Sequence, residues 1–160
     1  MLIFIRACDE AEILLYINHE NVVRCHGVVM WPNYFGVLMD YISGGSLLDL
    51  LHKDPRPVIP WKLKLRMIHE LAKALAYLHN SGLDQRVVHG DLRPSNILVT
   101  SDLHIKVSDF GAAAIATMTS DRSAQHTVSE PNAPPALQYI APELFTAMYQ
   151  GRSTAMDVYR

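Results

Sequence analysis

Four short groups of residues in this chain carry side chains whose types and spacing could do chemistry. His89-Gly90-Asp91-Leu92-Arg93-Pro94-Ser95-Asn96 holds a carboxylate, a guanidinium and a side-chain amide in one short run. Asp109-Phe110-Gly111 begins thirteen residues after Asn96, and Ala141-Pro142-Glu143 and Asp157-Val158-Tyr159 follow. Carboxylate and amide oxygens are the ligands that hard cations prefer. Each triplet alone is weak, and Asp91 and Asn96 alone read as a polar turn after a strand. Their order and separations together make them a candidate centre.

In that order the groups resemble the catalytic loop, the magnesium loop, the loop end and the following helix of eukaryotic protein kinases. The resemblance covers essentially the whole chain. It implies an α+β, protein kinase-like bilobal fold in part: the family's helix C to the start of its helix F, without its first three strands and without the distal helices of its large lobe. Residues 1–39 would be the small-lobe remnant, 40–45 the hinge, and 46–160 part of the large lobe, with an activation segment over 109–143. ATP and Mg2+ would be the cofactors, and a protein the substrate. Phosphoryl transfer spreads charge over the transferred group, so positioning and electrostatics do most of the catalysis. By resemblance, Asp91 accepts or orients the substrate hydroxyl proton, Asn96 and Asp109 hold magnesium, and Arg93 contacts the transferring phosphate where many kinases have lysine.

Further residues take roles by the same resemblance. His19-Glu20-Asn21-Val22-Val23 is similar to the family's His-Pro-Asn-Ile-Val. That register makes Glu10 the helix glutamate that pairs with the ATP-anchoring lysine; its competing reading is a solvated helix charge beside Glu12. Phe35 to Ile42 resembles the fifth strand and hinge. Met39 would be the gatekeeper, backbone groups of Asp40 and Ile42 would face adenine, Ser46 and Asp49 would lie on the ribose side, and Leu98 would pack under the adenine. Met39 and Leu98 are expected to be buried in either case. Leu14, Cys25, Phe110 and His89 would stack as a hydrophobic column anchored by Asp157, which gives His89 a packing role. The other histidines show no meaningful spacing.

The elements that must position these groups follow from periodicity. Asp9 to Asn18 reads as a helix, with Ile13, Leu14 and Ile17 at helical spacing. Val22 to Met30 and Tyr34 to Met39 read as a hairpin turning at Pro32-Asn33. Ser43-Gly44-Gly45-Ser46 is a flexible joint before a short helix, Ser46 to His52. The clearest helix runs from Trp61 to Ser81, with an apolar stripe of Leu65, Ile68, Ala72 and Leu75 that Leu71 and Leu78 widen. Ile97-Leu98-Val99 and Ile105-Lys106-Val107 are short apolar runs turning at Ser101-Asp102. Ala112 to Ala136 shows no sustained periodicity and reads as a long loop, either functional or disordered.

Composition bounds the rest. With 160 residues and 49% hydrophobic content the chain can build one domain with a real core. A formal charge of −2 gives no nucleic-acid footprint. No apolar run approaches membrane-spanning length and no secretory leader is visible, so the expected location is cytoplasmic. Cys8 and Cys25 have neither metal nor redox spacing.

Several positions depart from the family pattern. No glycine-rich phosphate loop or strand lysine precedes Glu10, and Glu143 lacks the later arginine it normally pairs with. Gly90 stands where the family has the arginine of His-Arg-Asp, so control through a phosphorylated activation loop is not expected. Thr117, Thr119, Ser120, Ser123, Thr127 and Ser129 instead read as a solvated loop. Ala136 replaces a supporting threonine. Arg93-Pro94-Ser95-Asn96 resembles serine/threonine kinases, whereas Gly45 to Asp49 and Asp157-Val158-Tyr159 look like the tyrosine-kinase side. That mixture resembles the tyrosine-kinase-like group, most of whose members phosphorylate serine or threonine. The expected function is a protein kinase acting on Ser/Thr, less so Tyr, with little activity in the 160 residues alone. The alternative is a pseudokinase-like scaffold for nucleotide or protein.

Overall fold

The computed structural model describes residues 14–31, 34–55, 57–80, 85–111, 113–117, 137–142 and 153–159. A helical turn over 14–16 leads into an extended segment and the antiparallel hairpin β1 (Cys25–Trp31) and β2 (Tyr34–Met39), which pairs Val28 with Val37 and Trp31 with Tyr34. The linker ends at Ser46, and α1 (Leu47–His52) and α2 (Trp61–His79) follow. Strand β3 (Gln85–Val88) precedes the candidate loop, which closes in a 3-10 turn over Pro94–Asn96. Strands β4 (Ile97–Val99) and β5 (Ile105–Val107) form a second hairpin. Strand β6 (Ala114–Thr117) returns antiparallel to β3, and α3 (Thr154–Tyr159) ends the described chain.

The β4–β5 hairpin turns every second side chain into the core. Ile97, Val99, Ile105 and Val107 are buried, while Leu98 and Lys106 between them are half-buried. The segment before β1 lies along β5. Val23 N–H donates to Val107 O and Val107 N–H to Asn21 O, both at 2.9 Å. Asn21 Nδ2 adds a bond to Ile105 O at 3.1 Å. Hydrogen bonds therefore knit the 21–23 segment to the strand that leads to Asp109.

The long helix is where expected, and its buried face agrees with the expected stripe only in part: Leu78 is buried and Leu71 and Leu75 pack against the core. Met67, Glu70, Ala74 and Leu78 face the core, whereas Leu65 and Ile68 are 49% and 60% exposed, Ala72 is exposed and Leu75 half-buried. At 100° per residue the expected stripe, with Leu71 and Leu78 included, centres about 105° round the helix from the true one and overlaps it at Leu78. The cause is Glu70, a charged residue on the inner face. Its Oε2 accepts from Ile105 N at 2.9 Å and its Oε1 contacts the His104 ring, so a carboxylate finds its bonds inside.

Other expectations shift in detail. Helix α1 starts at Leu47 because Ser46 is its cap, and α2 ends at His79 rather than Ser81. The first hairpin strand begins at Cys25 rather than Val22, because 21–23 bonds to β5 instead. Residues 17 and 18 are not helical. Strand β6 lies inside the stretch read as a loop, and β3 was not anticipated at all. Met39, expected to be buried, is 39% exposed. Among the described residues β1 and β2 pair only with each other, so Val28, Met30, Leu38 and Met39 all stay accessible. Pro32 and Asn33 at the hairpin turn lie outside the described residues, as do Cys8, Glu10, Ala136, Glu143 and the hydroxyls at 119, 120, 123, 127 and 129.

Candidate active site

The candidate loop starts where β3 ends, at a histidine with no solvent exposure. His89 Nδ1 accepts from Asp91 N–H at 3.2 Å, so its proton sits on Nε2, which donates to Ser108 O at 3.0 Å. Burial holds the imidazole pKa below its ordinary value, although the Ser108 bond and the Asp157, Asp109 and Asp91 carboxylates pull the other way. The neutral ring therefore acts as a strut between Asp91 and the residue before Asp109. Its ring centroid lies 4.8 Å from that of Phe110, at 58°. Leu14, Cys25 and Phe110 are buried in one hydrophobic cluster.

Helix α3 braces the start of the loop. Asp157 Oδ2 accepts from His89 N–H and Oδ1 from Gly90 N–H, each at 2.9 Å. His79, the last residue of α2, places Nε2 at 2.9 Å from the same Oδ2. Burial alone would raise the Asp157 pKa, but the bonds from His79, Gly90 and His89 outweigh it and hold the carboxyl below its usual value. Gly90 has φ of +75°, a left-handed geometry that glycine adopts without a Cβ clash.

Asn96 ties the loop together. Its Nδ2 donates to Asp91 O at 2.8 Å and to Asp91 Oδ2 at 3.0 Å. Its backbone O accepts from Ser108 N at 2.9 Å and Ser108 Oγ at 3.0 Å. Asp91 and the start of the Asp109 turn are thus both bonded to one residue. Arg93 Nε lies 3.2 Å from Asp91 Oδ2, within ion-pairing range, yet it makes no hydrogen bond. Charge attraction rather than a directed bond relates the two. Asp109 has φ of +64° and an exposed side chain, whose Oδ1 accepts from Gly111 N at 3.4 Å.

The donor set suits magnesium. Among the described residues no group of three or more His, Cys, Asp or Glu side chains is placed to hold a metal ion. Magnesium is ordinarily held by one or two carboxylates together with phosphate oxygens and water. The exposed Asp109 carboxylate and the Asn96 amide oxygen fit that pattern.

The nucleotide-side candidates are joined to this loop through β4. Ser46 pairs with Leu98 in an isolated bridge, and Val99 N–H donates to Gly45 O at 2.8 Å. A Cβ at Gly44 would stand 2.1 Å from Val99 O, so the linker passes too close for any side chain there. Ser46 and Asp49 form a capping box. Ser46 Oγ accepts from Asp49 N at 3.1 Å and donates to Asp49 Oδ2 at 2.6 Å, and Ser46 N donates to the same oxygen at 3.0 Å. These bonds, the serine hydroxyl's first, hold the Asp49 carboxyl below its usual pKa. Asp40 N–H is engaged by Arg24 O at 3.0 Å, and its Oδ1 lies 2.7 Å from His26 Nε2. That bond lowers the Asp40 pKa. Ile42 and Leu98 are half-buried.

The family described as "Protein tyrosine and serine/threonine kinase" matches residues 4–160. The chain belongs to the protein kinase family. The bovine receptor-interacting serine/threonine-protein kinase 2 is 32% identical over 154 residues, which cover 94% of this chain and 27% of that protein. The probable L-type lectin-domain containing receptor kinase VI.1 of Arabidopsis thaliana is 37% identical over 156 residues, covering 94% of this chain and 21% of that protein. The human serine/threonine-protein kinase TNNI3K is 36% identical over 141 residues, covering 87% of this chain and 16% of that protein. The kinase chain thus spans about a quarter or less of these relatives. Such relatives agree with the mixed serine/threonine and tyrosine-kinase-like motifs. As a family, protein kinases draw on ATP and magnesium. No helix among the kinase's described residues is long and apolar enough to cross a membrane.

Sequence reasoning missed His79 and Ser108. His79 reaches Asp157 across 78 residues and Ser108 reaches Asn96 across 12, so nothing local marks either pairing. His26 and His104, also set aside, each meet a carboxylate.

Proposed function

We propose that this kinase domain transfers the terminal phosphoryl group of ATP to a serine or threonine hydroxyl of a protein. The carrying observation is the pair of hydrogen bonds that Asn96 Nδ2 donates to Asp91, with Asn96 O held by the residue before Asp109. Asp91 Oδ2 is steered by Asn96 and faces the Arg93 charge, so its carboxylate is set to orient the acceptor hydroxyl and take its proton. Arg93 supplies positive charge where the transferred group carries negative charge. Asn96 Oδ1 and the Asp109 carboxylate would hold magnesium, and Met39, Asp40, Ile42, Ser46, Asp49 and Leu98 would line the nucleotide side. Magnesium-bound ATP supplies the phosphoryl group and neutralises its oxygens. Glu10 would orient an ATP-anchoring lysine. Residues up to Met39 would act as small lobe, 40–45 as hinge and the remainder as large lobe. With ATP as donor, the reaction belongs to the cytoplasm.

The test is ATP-dependent labelling of a general protein substrate by the full-length protein, with phosphoamino-acid analysis. Label on serine and threonine that falls by roughly 10²-fold or more in D91A supports this reading. Nucleotide binding with no Asp91-dependent label would favour the scaffold instead.

A further inference from the structure

Asn96 is the residue on which the proposed metal site and the loop's own bonding meet, and its hydrogen bonds settle which way its amide faces. Both Nδ2 hydrogens go to Asp91, one to the backbone carbonyl and one to the carboxylate, at 2.8 and 3.0 Å. A carbonyl cannot donate, so the atom facing Asp91 O is the nitrogen and Oδ1 points the other way. The backbone of Asn96 is also committed, its N–H to Arg93 O at 2.9 Å and its carbonyl to Ser108. Among the described residues, Oδ1 accepts from one hydroxyl. Ser95 Oγ donates to it at 3.0 Å.

The preceding chain fixes where that hydroxyl stands. Ser95 is the middle residue of the Pro94–Asn96 turn, and the proline ring sets the backbone angle at which the turn begins. Ser95 is half-buried and Asn96 is 4% exposed, so water competes weakly for the bond. An amide oxygen has two acceptor positions. The serine occupies one and leaves the other for a hard cation.

We propose that Ser95 is a positioning residue for the divalent cation at Asn96, its hydroxyl holding Oδ1 in the orientation that receives the ion. This rests on the reading of Asn96 as a metal ligand given above. Groups that bond to metal ligands from behind set their orientation, and removing them weakens metal binding while leaving the ligand in place. The Ser95 hydroxyl bonds to the amide oxygen, the atom of Asn96 that would meet the ion, so metal binding is the property it should affect most.

The experiment is Mn2+ binding to the full-length protein in the presence of ADP, followed by electron paramagnetic resonance. S95A should weaken one Mn2+ site by roughly 3- to 10-fold. S95T, which keeps the hydroxyl, should restore it to within about twofold. ADP affinity without metal and the urea midpoint should not move. If S95A loses stability, S95T against S95V compares the same shape with and without the hydroxyl. Parental Mn2+ binding in S95A, with the site lost in N96A, would overturn the role of Ser95 and leave the Asn96 assignment standing. Unchanged Mn2+ binding in N96A would overturn both.

Discussion

The loop from His89 to Asn96 and the β1–β2 hairpin with its linker are built on opposite terms. The loop is braced from α3 by Asp157, which His79 of α2 contacts in turn, and by Ser108 just after β5, and His89, Asn96 and Asp157 are buried. The hairpin presents Val28, Met30, Trp31, Leu38 and Met39 to the surface, and its side-chain tie to the linker is an exposed His26–Asp40 contact. Bonds in the first region act where water competes weakly, so each is costly to break. Ion pairs in the second are screened. On the proposed function, the difference would suit a domain whose phosphoryl-transfer residues need fixed geometry while its nucleotide side adjusts to a ligand.

Four perturbations break or sharpen this contrast, in order of falling effect. D157A should cost about 3 kcal/mol in urea denaturation, because two backbone N–H groups and His79 lose a buried acceptor. A loss under about 1 kcal/mol would mean the brace is replaceable. G44A should cost about 2 kcal/mol, since its Cβ would overlap Val99 O and force the linker off β4. Weaker nucleotide binding should accompany it, and an unperturbed variant would show that the linker is not seated there.

The third perturbation is pH. His89 resists protonation when folded, whereas the unfolded chain takes up that proton below its ordinary pKa of 6.5. The unfolded state then binds more protons, so stability falls as pH drops from 6.5 toward the lower folded value, by at most about 1.4 kcal/mol per unit from this residue. His19 has the same direction, its ring's burial being the main cause. Asp157, with a lowered folded pKa, adds its loss only when pH falls through and below the ordinary carboxylate range. Denaturation from pH 7.5 to 5 should show a shallower slope in H89F than in the parent; equal slopes would remove His89 from this account. Smallest of all, H26A should change stability by no more than about 0.5 kcal/mol, because the Asp40 contact is exposed. A loss several times larger would erase the contrast between the two regions.

How much of this was legible from sequence depended on whether the signal was local. The 97–99 and 105–107 runs are short, mainly apolar and separated by a turn signal, and they form a hairpin in the expected place. The grouping of Asp91, Asn96 and the Asp109 turn also followed from motif order, because each triplet keeps its identity whatever surrounds it. The inner face of α2 followed only in part. Apolar counting selected Leu65 and Ile68, while the true face includes Glu70, whose partners His104 and Ile105 lie more than thirty residues away. Strands β3 and β6 escaped for a related reason. They are four residues each and find their pairing only across the intervening loop and hairpin.

The measurement that bears most directly on the whole is a double-mutant cycle on phosphoryl transfer by the full-length protein, using D91N, D109N and the pair. If the two carboxylates serve one reaction centre, each single change lowers the rate by roughly 10²-fold or more, and the pair falls little further than the worse single. Near-parental transfer in either single variant, or losses that simply multiply, would contradict a shared centre.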